Sequence, residues 1–480
     1  MSPSSLPSRL VMKFGGTSVG SPGAIDQAAR IVLEQKTRWE QLVVVVSAMA
    51  GVTDALLHGS RTAAAGDEHT YREVAARLAQ QHTDVVQVLL DPSTDLYSEV
   101  LGHVDRYLAE FTALCHSVSV LGELTPRALD AITSLGERLS ARLLAAVLKQ
   151  RGAASLPVDA SQVIVTDSNF QSAAPLMAPT RQQVTQRLGA LLEQGVIPVV
   201  TGFISANADG IITTLGRGGS DYSAAILGDC LDASQVWIWT DVDGVMTADP
   251  RLVPNAQVIP LLSYSEVGEL AYFGAKILHP RTIRPVVDRG IPLWIKNTFN
   301  PAHPGTLVER QPQASAGTVK AVTAIPGLSM VTVEGRGMMG VPGIAARTFK
   351  AVASQGASVL MISQASSEQS ICFIVPGETA PAVMQAVEME MEAELRRKDI
   401  DRVWSLDDVV IVTAVGAGMR GTPGVAARLF GALGENGINV IAIAQGASEC
   451  SISLVVSAMD APAAVRRIHD RVIMDQRQDS

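Results

Sequence analysis

The last third of the chain repeats itself. The stretches "GRGMMGVPGIAARTFKAVASQGASVLMISQASSEQSICFIV" (335–375) and "GAGMRGTPGVAARLFGALGENGINVIAIAQGASECSISLVV" (416–456) align without a gap over 41 residues, at an offset of 81, with 20 positions identical. Each copy reads as a Gly/Pro turn, a helix, a strand, a polar turn and a second strand. Both helices carry Ala-Ala-Arg-x-Phe, at Ala345 to Phe349 and Ala426 to Phe430. A solenoid needs about three stacked units to bury a continuous core, so a pair implies two small α+β modules packed on one another. Taken alone, the duplication is a plain scaffold or a pair of ligand-binding units.

The preceding part of the chain has a different rhythm. From Arg9 to about Asn297, strand and helix patterns alternate. "RLVMKF" reads as a strand, and "AIDQAARIVLEQ" sets Ile25, Ala28, Ala29, Val32 and Leu33 on one helical face. "LVVVVS" (42–47) is a continuous β-branched run, as a parallel strand buried on both faces requires. "GVIPVVTGFI", "QVWIWT" and "IPLWIK" are further strands. The βαβ order predicts an α/β fold, an open and mostly parallel sheet sandwiched by helices, with ligands at the carboxyl ends of its strands. Residues 61–135 read as mostly helical. The Pro- and Gly-rich stretch from about Asn300 to Thr323 is the candidate linker, giving an expected division into 1–310 and 311–480.

The bulk numbers narrow the function. A chain of 480 residues is too long for one ordinary core, and 47% apolar with 18% charged residues describes a globular protein. The net charge of −9 argues against nucleic acid as the main partner. Cys115, Cys230, Cys372 and Cys450 form no C-x-x-C pair, and no H-E-x-x-H occurs, so no zinc or redox motif is expected. The leader "MSPSSLPSR" lacks the apolar core of a signal peptide, and no run reaches membrane-spanning length. A cytoplasmic protein is expected.

Five stretches carry residue types suited to binding and catalysis. In "KFGGTS", Lys13 precedes Gly15 and Gly16, which can adopt positive φ and present N–H groups to an anion; the alternative is a tight turn beside a surface lysine. In "SAMAGVTD", Ser47 and Thr53 follow a buried strand and suit a polar substrate, unless Thr53 or Asp54 caps the next helix. Glu137 stands in the first turn of "LGERLSARLLAAVL", as a ligand or as a partner for the helix dipole. In "TTLGRGGSDYSAAILG", glycines surround Arg217 and Asp221 opens a helix, which suits a carboxylate or phosphate on Arg217 and an ammonium on Asp221. In "TDVDGVMTADPR" and "FGAKILHP", Thr240 and Asp241 end a strand, and Arg251 and Lys276 are expected at the same edge. Asp241 and Asp243 do not have the spacing of an EF-hand calcium loop.

Together, Lys13, Arg217, Arg251 and Lys276 describe a polyphosphate environment, while Thr53, Glu137 and Asp221 suit a small zwitterion. No Ser–His or Cys–His pair is apparent. Phosphoryl transfer to a carboxylate needs none, because the acceptor is already ionised and positioning with charge stabilisation suffices.

In order, "KFGGTSVG", "SAMAGVTD", "LGERLSA", "LGRGGSD", "WTDVDGVMTADPR" and "FGAKILHP" resemble the aspartate kinases of the amino-acid kinase family, and the repeat resembles that family's paired ferredoxin-like ACT domains. The resemblance implies transfer of the ATP γ-phosphoryl group to the β-carboxylate of L-aspartate, on the route to lysine, threonine, methionine and diaminopimelate. It implies that Lys13, Phe14, Gly15 and Gly16 contact ATP phosphates, with Lys13 also stabilising the moving phosphoryl group. Ser47, Thr53, Glu137, Arg217 and Asp221 would hold aspartate, Arg217 on its α-carboxylate. Asp221 would fix the amino group and Lys13. Thr240, Asp241, Met246, Arg251 and Lys276 fall on nucleotide positions, with Met246 replacing a more usual aromatic residue. Mg²⁺ is expected with ATP, carried by the phosphates and no named side chain. Gln364, Asn439 and Gln445 would bind an amino-acid effector, threonine favoured over lysine, and a homodimer or dimer of dimers is implied. The repeats look most like those of aspartokinases fused to homoserine dehydrogenase; the chain stops at Ser480, so no such partner is expected. Related carboxylate kinases acting on glutamate or N-acetylglutamate, and an amino-acid sensor with an inactive kinase domain, are the competing readings.

Overall fold

The computed structural model describes residues 8–275, 278–310, 319–338, 341–364, 369–446 and 449–475. It divides into two compact units: Met1–Val245 with Pro260–Tyr264 and Leu278–Pro312, and Met246–Ile259 with Ser265–Ile277 and Gln313–Ser480.

The first unit contains strands β1 (Arg9–Phe14), β2 (Gln41–Val46), β3 (Ser155–Val158), β4 (Val165–Thr166), β5 (Ile197–Thr201), β6 (Ile204–Asn207), β7 (Ile212–Thr214), β8 (Gln235–Thr240), β9 (Leu261–Ser263), β10 (Leu293–Asn297) and β11 (Thr306–Glu309). Among the described residues, eight of them form one sheet in the order β3-β5-β2-β1-β8-β10-β11-β9. All neighbours run parallel except β10 and β11. β4, β6 and β7 form a second, small sheet. β1 and β2 are buried on both faces, which is why their sequences are continuous apolar runs and do not alternate. Phe14 of β1 stacks on Trp239 of β8 at a 5.9 Å centroid separation.

The helix Pro22–Lys36 starts where the Ser21 hydroxyl accepts the N–H of Ala24. It buries Ile25, Ala28, Ala29 and Val32, and Leu33 is half-buried. The helix Leu135–Gln150 buries most of its length in the same core. The expected helical elaboration is Val52–Ala64, Glu68–Leu89, Asp95–Leu121 and Pro126–Thr133. Gly59 is needed there because a Cβ would lie 2.8 Å from Phe111. The linker expectation needs revision: Thr306–Glu309 is a strand of the main sheet, and residues 311–318 lie outside the described residues.

In the second unit, β12 (Ala321–Glu334), β13 (Met361–Gln364), β14 (Ser370–Pro376), β15 (Arg402–Val415), β16 (Ala442–Gln445) and β17 (Ser451–Ser457) form an antiparallel sheet in the order β13-β14-β12-β15-β17-β16. The repeat therefore reaches beyond the 335–375 and 416–456 copies. β12 and β15 are also 81 residues apart, as are the helices Ala380–Glu390 and Ala461–Ile468 at their first residues. The modules do not merely pack together; they exchange strand ends. Ala321–Ile325 pairs with Ile411–Val415, and Met330–Glu334 pairs with Arg402–Leu406, with register shifts between. Gly327 (φ 75°) and Asp408 (φ 53°) occupy the same repeat position at these shifts.

Two earlier stretches are built into this unit. Ala248 and Val253 join the core of Val322, Val412, Leu429 and Val465, and Thr247 Oγ1 shares a 2.9 Å hydrogen bond with the buried ring of His469. Lys320 pairs with Glu266 at 2.9 Å, and the other Glu266 oxygen accepts the N–H of Ala417 at 2.7 Å. Phe273 enters the apolar cluster of Leu328, Ile374, Val409 and Ile411.

Candidate active site

The carboxyl ends of β1, β2, β5 and β8 meet at one edge of the first unit. Lys13, the penultimate residue of β1, places Nζ 2.6 Å from Asp221 Oδ1, and the two side chains are 11% and 15% exposed. Asp221 is positioned by the first turn of the helix Gly219–Cys230, whose N-cap is Gly218 at φ 70°. That start is clamped against the end of β5. Gly219 and Gly202 must lack side chains, because a Cβ would lie 2.6 Å from Phe203 Cδ2 and 2.6 Å from Ser220, respectively. Phe203 itself lies in the left-handed region (φ 65°), and its N–H donates to Ser223 Oγ at 3.0 Å.

In the Gly15–Gly16 turn neither glycine has positive φ, and Gly16 is right-handed helical at φ −58°. The Gly15 N–H is committed to the carbonyl of Trp239 at 3.1 Å. The close approach is at Gly16, where a Cβ would sit 3.1 Å from the Ala48 carbonyl; one on Gly15 would make ordinary contact, 3.6 Å from Lys13 Nζ. The Gly16 carbonyl accepts the N–H of Ala50, which joins this turn to the loop after β2.

That loop carries Ser47 and Thr53, both half-buried. The helix Val52–Ala64 is capped by Gly51 (φ 80°) without a side-chain cap, so neither Thr53 nor Asp54 is spent on capping. Glu137 is 3% exposed in the first turn of Leu135–Gln150. Its neighbour Gly136 fits against the loop because a Cβ would lie 2.7 Å from Ala48. Burial pushes the Glu137 carboxyl up to about 8, opposed by the N–H groups of Ala48 and of Glu137 itself. Its Oε2 is buried without a hydrogen-bond partner. A carboxylate left in that state is a receptor for a cation.

Arg217 is exposed between Gly216 (φ 77°) and Gly218, with no ion pair among the described residues. The loop that presents it is held by Asp130, a residue that sequence reasoning missed. Asp130 is buried, accepts the N–H of Gln171 at 2.9 Å, and accepts both the N–H and the hydroxyl of Thr214 at 3.1 and 2.7 Å. The one available signal was an acid on the buried side of the short helix Pro126–Thr133.

Thr240 ends β8 and donates to Asp241 Oδ1 at 3.0 Å, and Asp241 is exposed. Met246 and Arg251 belong to the second unit. Met246 bridges Val258, and Arg251 pairs at 2.6 Å with Asp249 and so is not left unspent. Lys276 lies outside the described residues. Gln364 and Gln445 end β13 and β16, the outer strands of the second unit's sheet, and both are exposed, as is Asn439. Among the described residues no three His, Cys, Asp or Glu side chains converge as a metal cage.

Residues 8–297 match the amino acid kinase family, and residues 331–391 and 412–472 match the ACT domain. The bifunctional aspartokinase/homoserine dehydrogenase 2 of Zea mays chloroplasts is 39% identical over 97% of this chain and 51% of its own length. The chain thus spans about half the length of such curated relatives. Aspartokinase 3 of Arabidopsis thaliana chloroplasts is 34% identical over 96% of this chain and 80% of its own. The crystal structure of E. coli aspartokinase III with aspartate and ADP superposes with a TM-score of 0.78 at 29% identity, covering 96% of this chain and 99% of that one. The same enzyme with lysine and aspartate gives 0.78 at 30%, covering 97% and 99%. The chain belongs to the amino acid kinase family, with a tandem pair of ACT domains behind its kinase domain.

Proposed function

We propose that the protein is an aspartate kinase, transferring the γ-phosphoryl group of ATP to the β-carboxylate of L-aspartate to give 4-phospho-L-aspartate. The observation that carries this reading is the Lys13–Asp221 pair at the strand ends, in the same unit as the unpartnered carboxylate of Glu137. In the reaction the β-carboxylate oxygen forms the new bond to phosphorus while the bond to the β,γ-bridging oxygen breaks, and ADP leaves. No proton need be removed from the acceptor. Lys13 would stabilise negative charge on the transferring group, in a site whose low exposure strengthens that attraction. Asp221 holds the ammonium in place. Glu137 would receive the substrate ammonium, and Arg217 the α-carboxylate. Ser47 and Thr53, free of capping duty, would bond the remaining polar atoms. Thr240, Asp241, Met246, Arg251 and Lys276 would serve the nucleotide, with Phe14, Gly15 and Gly16 beside its phosphates. Mg²⁺, when bound with ATP, supplies charge neutralisation between the phosphates.

Support comes from E. coli aspartokinase III, solved with aspartate and ADP and also with lysine. An amino-acid effector, threonine or lysine, is proposed at Gln364, Asn439 and Gln445, in a cytoplasmic homodimer or dimer of dimers. The test is ADP release across a panel of L-aspartate, L-glutamate and N-acetyl-L-glutamate. Release with aspartate alone is expected. Release with either of the others alone supports the related carboxylate kinase, and no turnover with retained threonine or lysine binding supports a sensor.

A further inference from the structure

The two repeat copies can be compared position by position, and one place differs in kind. In the second copy, Ala324, Ala461 and Val465 are covered by Ala248 and Val253, and His469 is buried on Thr247. At the offset of 81, the first copy has Ser405, Ala380, Met384 and Glu388 at these positions. Here a cavity of about 530 Å³ remains, bordered also by Gly327, Leu328, Asp407 and Asp408.

Its floor and rim are polar in a specific sense. Ser329 is 2% exposed, lines the cavity, and has no side-chain hydrogen bond among the described residues. A Cβ on Gly377 would lie 3.2 Å from the Gly327 carbonyl oxygen and 3.5 Å from the Ser329 hydroxyl, so a side chain there would border the floor. The second copy has the apolar residues Val410 and Ala458 at these two positions. Glu388, Asp407 and Asp408 border the cavity, no Lys, Arg or His lines it, and none of the three acids has an ion pair among the described residues. Leu328 and Met384 supply an aliphatic wall. The volume lies within the usual range for small-molecule pockets, roughly 300–1,000 Å³. The Ser329 hydroxyl offers a donor and an acceptor to whatever occupies the cavity.

We propose that this cavity binds a small aliphatic amine, with its ammonium among Glu388, Asp407, Asp408 and the Ser329 hydroxyl and its hydrocarbon stem on Leu328 and Met384. None of the lining residues belongs to β13 or β16, so the site is distinct from Gln364 and Gln445. It does not rest on the kinase reading.

The test is calorimetric titration of the full chain with 1,5-diaminopentane, with 1,5-pentanediol as the neutral control and MgCl₂ as competitor. One amine per chain is expected, with no binding of the diol. The paired change Asp407→Asn and Asp408→Asn should weaken the amine about tenfold or more, since two rim charges are lost. Ser329→Val and Gly377→Ala introduce the residues that the second copy has at these positions. Each should weaken binding several-fold at an unchanged unfolding midpoint, and if one variant fails to fold the other carries the comparison. No amine binding to the wild type, equal affinity in all variants, or displacement by equimolar Mg²⁺ would overturn the proposal.

Discussion

Lys13 with Asp221 and Lys320 with Glu266 are the same chemical pair in two settings. The first joins a strand end to a helix start, 2.6 Å apart and partly exposed, at the ligand edge of a parallel sheet. The second is 4% and 0% exposed, and the other oxygen of its carboxylate accepts a backbone N–H from the second repeat copy. Burial therefore does not mark function, because the more deeply buried pair is a structural tie. What distinguishes the first is its unfinished surroundings: a Glu137 carboxyl whose Oε2 has no hydrogen-bond partner, a glycine turn packed close beside Lys13, and Arg217 exposed with no ion pair among the described residues.

Removing one partner of each pair should separate the roles. Lys320→Ala leaves Glu266 charged in an apolar core and should destabilise the second unit by about 3–5 kcal/mol, read as a shifted urea midpoint. Replacing both partners, Lys320→Met with Glu266→Leu, should recover most of that loss. Lys13→Ala should act the other way, lowering kcat by roughly 10²–10³-fold with little change in KM for ATP or in the urea midpoint. A large midpoint shift in Lys13→Ala with preserved kcat would erase the contrast.

Glu137 sharpens the comparison through pH. Its folded-state pKa is raised, so its contribution to stability is fully present below the ordinary carboxylate range and is lost as pH rises toward about 8. Without ligand, the wild type should lose stability between about pH 4.5 and 8 relative to Glu137→Gln. The difference is on the order of 3 kcal/mol, since water entering with ionisation offsets part of the full cost. Thermal unfolding of both proteins across that range is the check. The smallest effect is expected at Arg217. Arg217→Ala should raise KM for aspartate by about 10–100-fold, as for loss of one charged hydrogen bond, with kcat less affected.

Much of this was legible from local pattern. β1 and β2 declare themselves through apolar runs, and Lys13, Glu137, Arg217 and Asp221 each stand beside a turn or helix signal. Their pairing was not legible, because it depends on where a strand ends and where a distant helix begins. At Gly15 and Gly16 the freedom to adopt positive φ is not used; the Ala48 carbonyl packs closely on Gly16, where a Cβ would sit 3.1 Å away. Asp130 was missed because its partners, Gln171 and Thr214, are supplied by distant backbone. The strand exchange was missed because β12 and β15 share an alternating pattern more than residues. The burial of Thr247 on His469 and of Glu266 on Lys320 is wholly long-range, so the clustering of the segment Met246–Ile259 with the second unit was not legible.

The most direct measurement traps the product. With MgATP, L-aspartate and hydroxylamine, the wild type and a folded Lys320→Met/Glu266→Leu variant should both form aspartyl hydroxamate, and Lys13→Ala should form almost none. Hydroxamate formed equally by Lys13→Ala, or absent from the wild type, would contradict the account.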